Sequence, residues 1–165
     1  MSEIWYLLRC PVGNETYYAE KCQIFVDSEE LEEIICFRYQ RMIRYGGRWH
    51  LEKRIALPGH LFLSGINVIV LVKNLLRNGE TKPDISLTPC DRPYLKGMCQ
   101  RENLVNMSRG IIRNGSPVVT SGPLKGREQL IQRIDRHKRT AEIEIPFAGD
   151  KKQVTVGLEI YKKEM

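Results

Sequence analysis

The sequence has few of the residues from which metal centres and disulfide frameworks are built. Its five cysteines are odd in number and widely spaced, and no two of them form a CxxC pair. The three histidines, at positions 50, 60 and 137, have no cysteine close by in the chain. These absences argue against a zinc site and a disulfide framework, and they predict free thiols in a reducing cytoplasm. We therefore expect no metal and no cofactor.

Long hydrophobic runs are also missing. The most apolar segment, residues 66–72, is interrupted by Asn67 and followed by Lys73, so it is far too short to span a bilayer. The N-terminus carries Glu3 and only a very short apolar run, which predicts that it is not a signal peptide. We therefore expect a cytoplasmic protein without a membrane partner.

The sequence also lacks a recognisable catalytic constellation. No histidine has a cysteine, serine or carboxylate at a spacing typical of an activated nucleophile. Asp135 and His137 are neighbours, but they lie in a basic stretch that an exposed turn explains more simply. Gly13 follows an apolar strand, yet no Lys-Ser/Thr pair follows it as in a phosphate-binding loop. These patterns predict that the protein is not an enzyme.

The charge balance is moderately basic. The chain has 26 Lys and Arg against 20 Asp and Glu, a formal net charge of +6, and 42% hydrophobic residues, enough for a packed core. Its 165 residues fit one domain or two small ones. The cation excess is compatible with a polyanionic ligand, since each neutralised phosphate releases counterions, but it is equally compatible with simple solubility.

The first part of the chain alternates apolar strands with turn signals. The breaker-free run Ile4–Cys10 is typical of a central buried strand, and Asn14 can cap a helix that runs from Glu15 to about Val26. The further elements predicted here are a strand over 34–37, an apolar strand over 56–65, a helix over 66–76, a turn-rich stretch over 80–93, a short helix over 94–99, and a strand over 104–107 completing the first sheet.

A hairpin around Gly46-Gly47 is predicted by two flanks of similar length. Its polar positions are strongly basic, with Glu52 as the only acid, and Tyr39, Tyr45 and Trp49 are interleaved. Cations contact phosphates and aromatic rings stack on bases, so this pattern favours nucleic acid over a hairpin that merely keeps its edge charged. The candidate nucleic-acid-binding residues of this hairpin are Arg41, Arg44 and Arg48.

The segment from Ser116 onward is a series of short strands and tight turns that predicts a small β-barrel. Residues 141–145 alternate cleanly between apolar side chains and glutamates, as a half-buried strand does. A dense basic cluster precedes this strand and favours the phosphates of an RNA helix, although a solvated turn facing a protein partner remains the alternative. The candidate nucleic-acid-binding residues here are Lys125, Arg127, Arg133, Arg136, His137, Lys138 and Arg139.

Three stretches resemble the NusG family of transcription factors. The opening W-Y-L-L-x-C-x-x-G-x-E is similar to the start of the NusG N-terminal domain, and GPLKGREQLIQRIDRHKRTAEIEI is similar to a KOW element, the SH3-like barrel of that family. Gln129 stands where the KOW pattern usually has a second glycine. The block Pro58-Gly59-His60-Leu61-Phe62 resembles the family segment that lines the surface gripping RNA polymerase, with His60 in place of a tyrosine.

The resemblance implies an α+β protein in two domains. A NusG-type domain over 1–107, with a mostly antiparallel sheet flanked by helices, would precede a short linker over 108–115 and a KOW β-barrel over 116–165. It also implies docking of a monomer on the clamp helices of RNA polymerase through one apolar depression. The residues expected to form that depression are Tyr6, Leu57, Pro58, His60 and Phe62.

As function, the resemblance implies transcription antitermination or processivity. TSGPLKGRE and IDRHKR are most similar to specialised paralogs of the family, antiterminators of long biosynthetic operons that recognise an RNA hairpin. A general elongation or pausing factor without a sequence-specific ligand, or a paralog that reads non-template DNA, stays open, and the KOW domain could bind a ribosomal protein or termination factor. A ribosome-associated KOW protein is disfavoured, because such proteins lack a domain like the first 107 residues.

Overall fold

The computed structural model of the protein describes residues 4–23, 31–65, 68 and 85–164. Over these residues the chain is a mixed α+β protein made mostly of strands in three sheets, which confirms the predicted class. The elements are α1 (Glu15–Gln23), β1 (Trp5–Arg9), β2 (Glu33–Ile35), β3 (Arg38–Tyr45), β4 (Arg48–Ile55), β5 (His60–Ser64), β6 (Ser86–Cys90), β7 (Leu104–Val105), β8 (Ser108–Arg113), β9 (Ser116–Ser121), β10 (Ile131–Asp135), β11 (Thr140–Phe147) and β12 (Asp150–Glu164), with 3-10 turns at Tyr94–Met98 and Glu128–Leu130.

The chain forms two compact units that do not follow the predicted division at residue 107. The first unit comprises Met1–Cys36 and Leu57–Pro93, and the second comprises Phe37–Ala56 and Tyr94–Met165. The β3–β4 hairpin therefore belongs to the same unit as the C-terminal strands. No helix in the described part of the chain has the length and apolar character needed to cross a bilayer.

The first unit contains an antiparallel sheet in the order β2-β5-β1-β6. As predicted, β1 is a central strand, and alternate side chains from it, including Tyr6 and Leu8, join a core with Tyr18 of α1. The buried carboxylate of Glu15 accepts hydrogen bonds from the backbone N–H groups of Gly13, at 2.6 Å, and Gly59, at 3.1 Å. Glu15 thereby ties the start of α1 to the loop before β5.

The stretch over 80–93 was predicted as turns, but Ser86–Cys90 forms the strand β6. Pro89 made this segment look unlike a strand, because proline cannot donate to a sheet ladder. The strand order explains the exception, since β6 lies at the edge of its sheet. The helix predicted over 66–76 falls almost entirely outside the described residues; Val68, which is described, is helical and fully buried.

The second unit contains a three-stranded sheet in the order β4-β3-β7 and a five-stranded sheet in the order β10-β11-β12-β8-β9. The long strand β12 links the two halves of the larger sheet: its first part pairs antiparallel with β11, and its second part pairs parallel with β8. The predicted alternation in β11 is confirmed, since Ala141, Ile143 and Ile145 are buried. The strand expected to complete the first sheet is β7, which instead pairs parallel with β3.

Two of the hairpins in the second unit, β3–β4 and β8–β9, each turn on two residues with positive φ. Gly46 and Gly47, at φ 61° and 75°, close the predicted β3–β4 hairpin, and Tyr45 pairs with Arg48 across it. Asn114 and Gly115, at φ 52° and 82°, close the β8–β9 hairpin in the same way. The linker expected over 108–115 is therefore wrong: its turn residues belong to a hairpin, and its apolar residues belong to β8.

The β3–β4 hairpin packs closely against β12 through a position where only glycine fits. A Cβ on Gly157 would collide with the Met107 sulfur and with the backbone oxygen of Gln40 in β3. The side-chain oxygen of Gln40 also accepts a hydrogen bond from the Met107 N–H at 2.9 Å. These contacts hold the hairpin on the five-stranded sheet and so fix the position of its basic residues.

Candidate nucleic-acid interface

The structure brings the two predicted basic segments together on the second unit. The β3–β4 hairpin supplies one side, and the turn at residues 136–139 between β10 and β11 supplies the other. We call this combined surface the basic groove; it encloses about 380 Å³. Its lining residues are Arg41, Met42, Ile43, Arg44, Trp49, Arg136, His137, Lys138 and Arg139.

Arg139 joins the two sides of the basic groove. Its guanidinium carbon lies 3.8 Å from the centroid of the Trp49 ring in β4, a cation–π contact. A second contact, an ion pair of 3.6 Å with Glu159 in β12, fixes the same side chain, which is three-quarters buried. Arg139 is therefore a positioning residue more than a free cation.

The turn that carries the other cations is held by Asp135. Its carboxylate oxygen Oδ1 accepts a hydrogen bond of 2.9 Å from the backbone N–H of Lys138. This hydrogen bond lowers the pKa of the Asp135 carboxyl, and the charge of Lys138, the backbone N–H of His137 and the charge of Arg133 act in the same direction. With the backbone fixed, the side chains of Arg136, His137 and Lys138 extend into solvent.

The cations differ in how far they are already neutralised. Among the described residues, no carboxylate lies within ion-pair distance of the exposed Arg44, Arg48 or Arg136. Arg41 lies 3.5 Å from Glu52 and Arg133 lies 3.3 Å from Glu142, so these two are partly neutralised within the protein. The cations best placed to meet a polyanion are therefore Arg44 and Arg48 of the hairpin and Arg136 of the turn.

A second, smaller cavity of about 200 Å³ continues the surface and shares Arg41 and Lys138 with the basic groove. It also contains the carboxylates of Asp135 and Glu142. The Nε atom of Arg41 is buried and makes no hydrogen bond, although it lies 3.5 Å from Oε1 of Glu52. Because positive and negative side chains both line this cavity, it is a weaker anion site than the basic groove.

Lys125 and Arg127 lie apart from the residues that line the basic groove. Arg127 donates hydrogen bonds to the carbonyl oxygens of Pro123, at 2.9 Å, and Gly97, at 3.4 Å. These bonds give Arg127 a structural role that its place in a basic run did not reveal. Lys125 is exposed on the adjacent turn.

The five residues predicted for a polymerase surface do not form one depression. The register of β1 and β5 pairs Tyr6 with Leu63 and Leu7 with Phe62, so Tyr6 and Phe62 point to opposite faces of the sheet. Tyr6, Leu57 and Phe62 are also buried, at 9%, 2% and 4% exposure. The accessible members of the predicted set are Pro58 and His60, whose ring Nδ1 lies 2.8 Å from the Pro58 carbonyl oxygen.

Two exposed features were not among the predicted site residues. Val12, which is 75% exposed, lies beside Gly59 and so extends the accessible surface at Pro58 and His60. At the tip of the β3–β4 hairpin, Tyr45 stacks on His50 with the ring centroids 3.7 Å apart. The Gly-Gly turn fixes the register of that hairpin, and this register makes Tyr45 and His50 diagonal neighbours. The ring contact could have been predicted from the sequence in this way.

The described residues include no cluster of three or more side chains suited to hold a metal ion. The cysteines are free thiols, and burial raises the pKa of Cys10, Cys22, Cys90 and Cys99 to about 11. These four thiols are therefore protonated at neutral pH, which makes them poor nucleophiles.

Compared with models of known protein families and with curated protein sequences, the chain matches none. The resemblance to the NusG family therefore rests on the motifs quoted above. The charges and contacts of the basic groove point to a nucleic-acid interface independently of that resemblance.

Proposed function

We propose that the protein is a transcription antitermination or processivity factor of the NusG type, most like the specialised paralog LoaP, that binds a structured RNA. The observation that carries the RNA part of the proposal is the convergence of the β3–β4 hairpin and the basic turn at residues 136–139 on one groove. The transcription part is supported by the motifs that resemble the NusG N-terminal domain and, over residues 116–165, a KOW element.

The geometry suits an RNA helix with unpaired bases near it. Arg44, Arg48 and Arg136 are exposed. The close packing of β3 on Gly157 holds the hairpin, and the hydrogen bond from the Lys138 N–H to Asp135 holds the turn. Arginine meets phosphate through its planar fork of donors and also stacks on bases. In an RNA stem the phosphates flank a wide minor groove with accessible 2′-hydroxyls, while sequence is read from loops or bulges.

RNA polymerase is the proposed partner of the first unit. The exposed Pro58 and the partly exposed His60 belong to the block that resembles the polymerase-gripping segment, and Val12 lies beside them. Tyr6, Leu57 and Phe62 are buried, so we do not propose that they touch the partner. We further propose that the factor acts as a monomer in the cytoplasm.

A gel-shift titration over a series of salt concentrations tests the proposed ligand. It compares an RNA stem-loop, a single-stranded DNA and a DNA duplex of matched length. We expect the RNA stem-loop to bind tightest, with affinity falling steeply as salt rises, because phosphate contacts release counterions. Tightest binding to single-stranded DNA would instead favour a factor that reads non-template DNA, and no binding to any of the three would favour a general elongation factor.

A further inference from the structure

We infer that the stacked rings of Tyr45 and His50, at the tip of the β3–β4 hairpin, form a platform on which an unpaired nucleobase of the RNA stacks. This inference rests on the proposed RNA-binding function and deepens it. It gives the protein a means of distinguishing a loop or bulge from a regular duplex, which the cations of the basic groove do not provide.

The ring pair is built before any ligand arrives. The Tyr45 and His50 rings are nearly parallel, at 10°, with centroids 3.7 Å apart. The His50 ring atom Nε2 lies 3.2 Å from the Tyr45 carbonyl oxygen, which fixes the imidazole plane. The two residues are diagonal neighbours across the hairpin, because Tyr45 pairs with Arg48 and Ile43 pairs with His50.

The pair also presents an open aromatic surface. Tyr45 is 60% exposed although one ring face is covered by His50, so its exposure belongs largely to the other face and the ring edge. The neighbouring Gly46 and Gly47 have no side chains, and a Cβ added at either position would meet no atom within 4 Å outside the adjacent residues. A flat ligand can therefore reach the Tyr45 ring from the end of the hairpin.

The surrounding charge favours a nucleotide over an apolar partner. Arg44 precedes Tyr45 in the chain and Arg48 is its partner across the strands, and both arginines are exposed. A base on the Tyr45 ring would place its own backbone phosphates within the reach of these cations. Stacking on an aromatic side chain is available to every base, since each base has a π-face, so the platform would detect an unpaired base without requiring a particular one.

The test uses the full chain and two RNA probes: a stem-loop with 2-aminopurine in its loop, and a blunt duplex of the same stem. The variants are Tyr45→Ala, Tyr45→Phe, and Tyr161→Ala as a control, because Tyr161 is an exposed tyrosine of the same unit outside the basic groove. Thermal unfolding of each variant is measured alongside binding.

We expect the wild type and Tyr45→Phe to prefer the stem-loop and to lower its 2-aminopurine fluorescence on binding. Tyr45→Ala should lose about five-fold or more in stem-loop affinity, the lower range for one stacked base, with duplex affinity and salt dependence unchanged. Tyr161→Ala should bind as the wild type does.

Three results would overturn the inference. If Tyr45→Ala binds the stem-loop with the same affinity and the same fluorescence change as the wild type, no base stacks on Tyr45. The RNA-binding proposal would still stand in that case. An equal loss on stem-loop and duplex would show a contact that does not depend on unpaired bases. Absence of RNA binding in the wild type would end both the inference and the proposed function.

Discussion

The guanidinium of Arg139 lies 3.8 Å from the centroid of the Trp49 ring, and the two residues come from segments far apart in the chain. Trp49 belongs to β4 of the basic hairpin, and Arg139 ends the basic turn before β11. Their contact turns two separate groups of cations into one surface. A contact of this kind contributes about 0.5–2 kcal/mol, depending on how far it is desolvated, and it also aligns the two groups.

Replacing Trp49 by alanine should therefore affect binding more than stability. We expect a loss of about 1 kcal/mol in the free energy of unfolding, from the lost cation–π contact, and a clear loss of RNA affinity, because the turn and the hairpin are no longer aligned. Trp49→Phe retains a ring under Arg139 and should recover most of the affinity. Urea unfolding and RNA titration of both variants measure the two effects, and equal RNA affinity in Trp49→Ala and wild type would contradict the alignment role.

Gly157→Ala should destabilise the second unit by about 1–3 kcal/mol, the usual range for overpacking. The added Cβ would collide with the Met107 sulfur and with a backbone oxygen of β3, which cannot move without shifting the hairpin. Gly97→Ala is the matched control, because a Cβ at Gly97 has open space around it. Urea denaturation compares the two, and equal stability would show that β12 and β3 are not packed as described.

His60→Ala should weaken binding to RNA polymerase while leaving the melting temperature nearly unchanged. The His60 side chain is partly exposed beside Pro58, whereas Phe62 on the same strand is 4% exposed. Phe62→Ala should instead unfold the first unit more readily, at a cost of about 3–5 kcal/mol typical of a buried phenylalanine. Pull-down with purified bacterial polymerase and a thermal melt separate the two effects. Full polymerase binding by His60→Ala would remove this residue from the interface.

The Asp135 carboxyl should titrate below its ordinary value of 3.8, which NMR of its side-chain carbon can follow. Since the folded-state pKa is lowered, the carboxylate stabilises the turn above the unfolded-state pKa, and this contribution is lost as the pH falls through the folded value. Asp135→Asn keeps an oxygen acceptor for the Lys138 N–H but should abolish this acid dependence. A titration midpoint at or above 3.8 in the wild type would mean that the hydrogen bond from Lys138 is not maintained in solution.

Much of the local fold was predictable from the sequence because its signals are short-range. The Gly46-Gly47 hairpin, the central strand β1 and the alternation in β11 each follow from turn chemistry or periodicity within a few residues. Pairing between distant segments was not predictable in this way. The two-residue strand β7 has no pattern that selects β3 as its partner, and Asn114-Gly115 can end a domain or close a hairpin with the same residues.

The candidate site was predicted in its parts and not in its assembly. The sequence marked Arg41, Arg44 and Arg48 and the cluster at residues 136–139 as candidate nucleic-acid-binding residues, and the structure places all of them except Arg48 along one groove. The expected single depression does not include both Tyr6 and Phe62, because side chains alternate between the two faces of a strand. The sequence does not show that these two residues lie on opposite faces; the pairing register of β1 with β5 does.

The most direct test of this account measures the salt dependence of binding to one RNA stem-loop for two double variants. Arg44→Ala with Arg48→Ala removes cations of the hairpin, and Arg136→Ala with Lys138→Ala removes cations of the turn. A control that replaces Lys151 and Lys162, exposed lysines of β12, removes the same charge elsewhere on the unit. All are compared with the wild type as the logarithm of affinity against the logarithm of salt concentration.

If the hairpin and the turn bind one RNA, each double variant weakens binding and flattens the slope of log affinity against log salt by about one unit per lost phosphate contact. The control leaves that slope unchanged. A slope changed by only one of the two double variants, or changed as much by the control, would contradict the claim that the hairpin and the turn form a single RNA-binding surface.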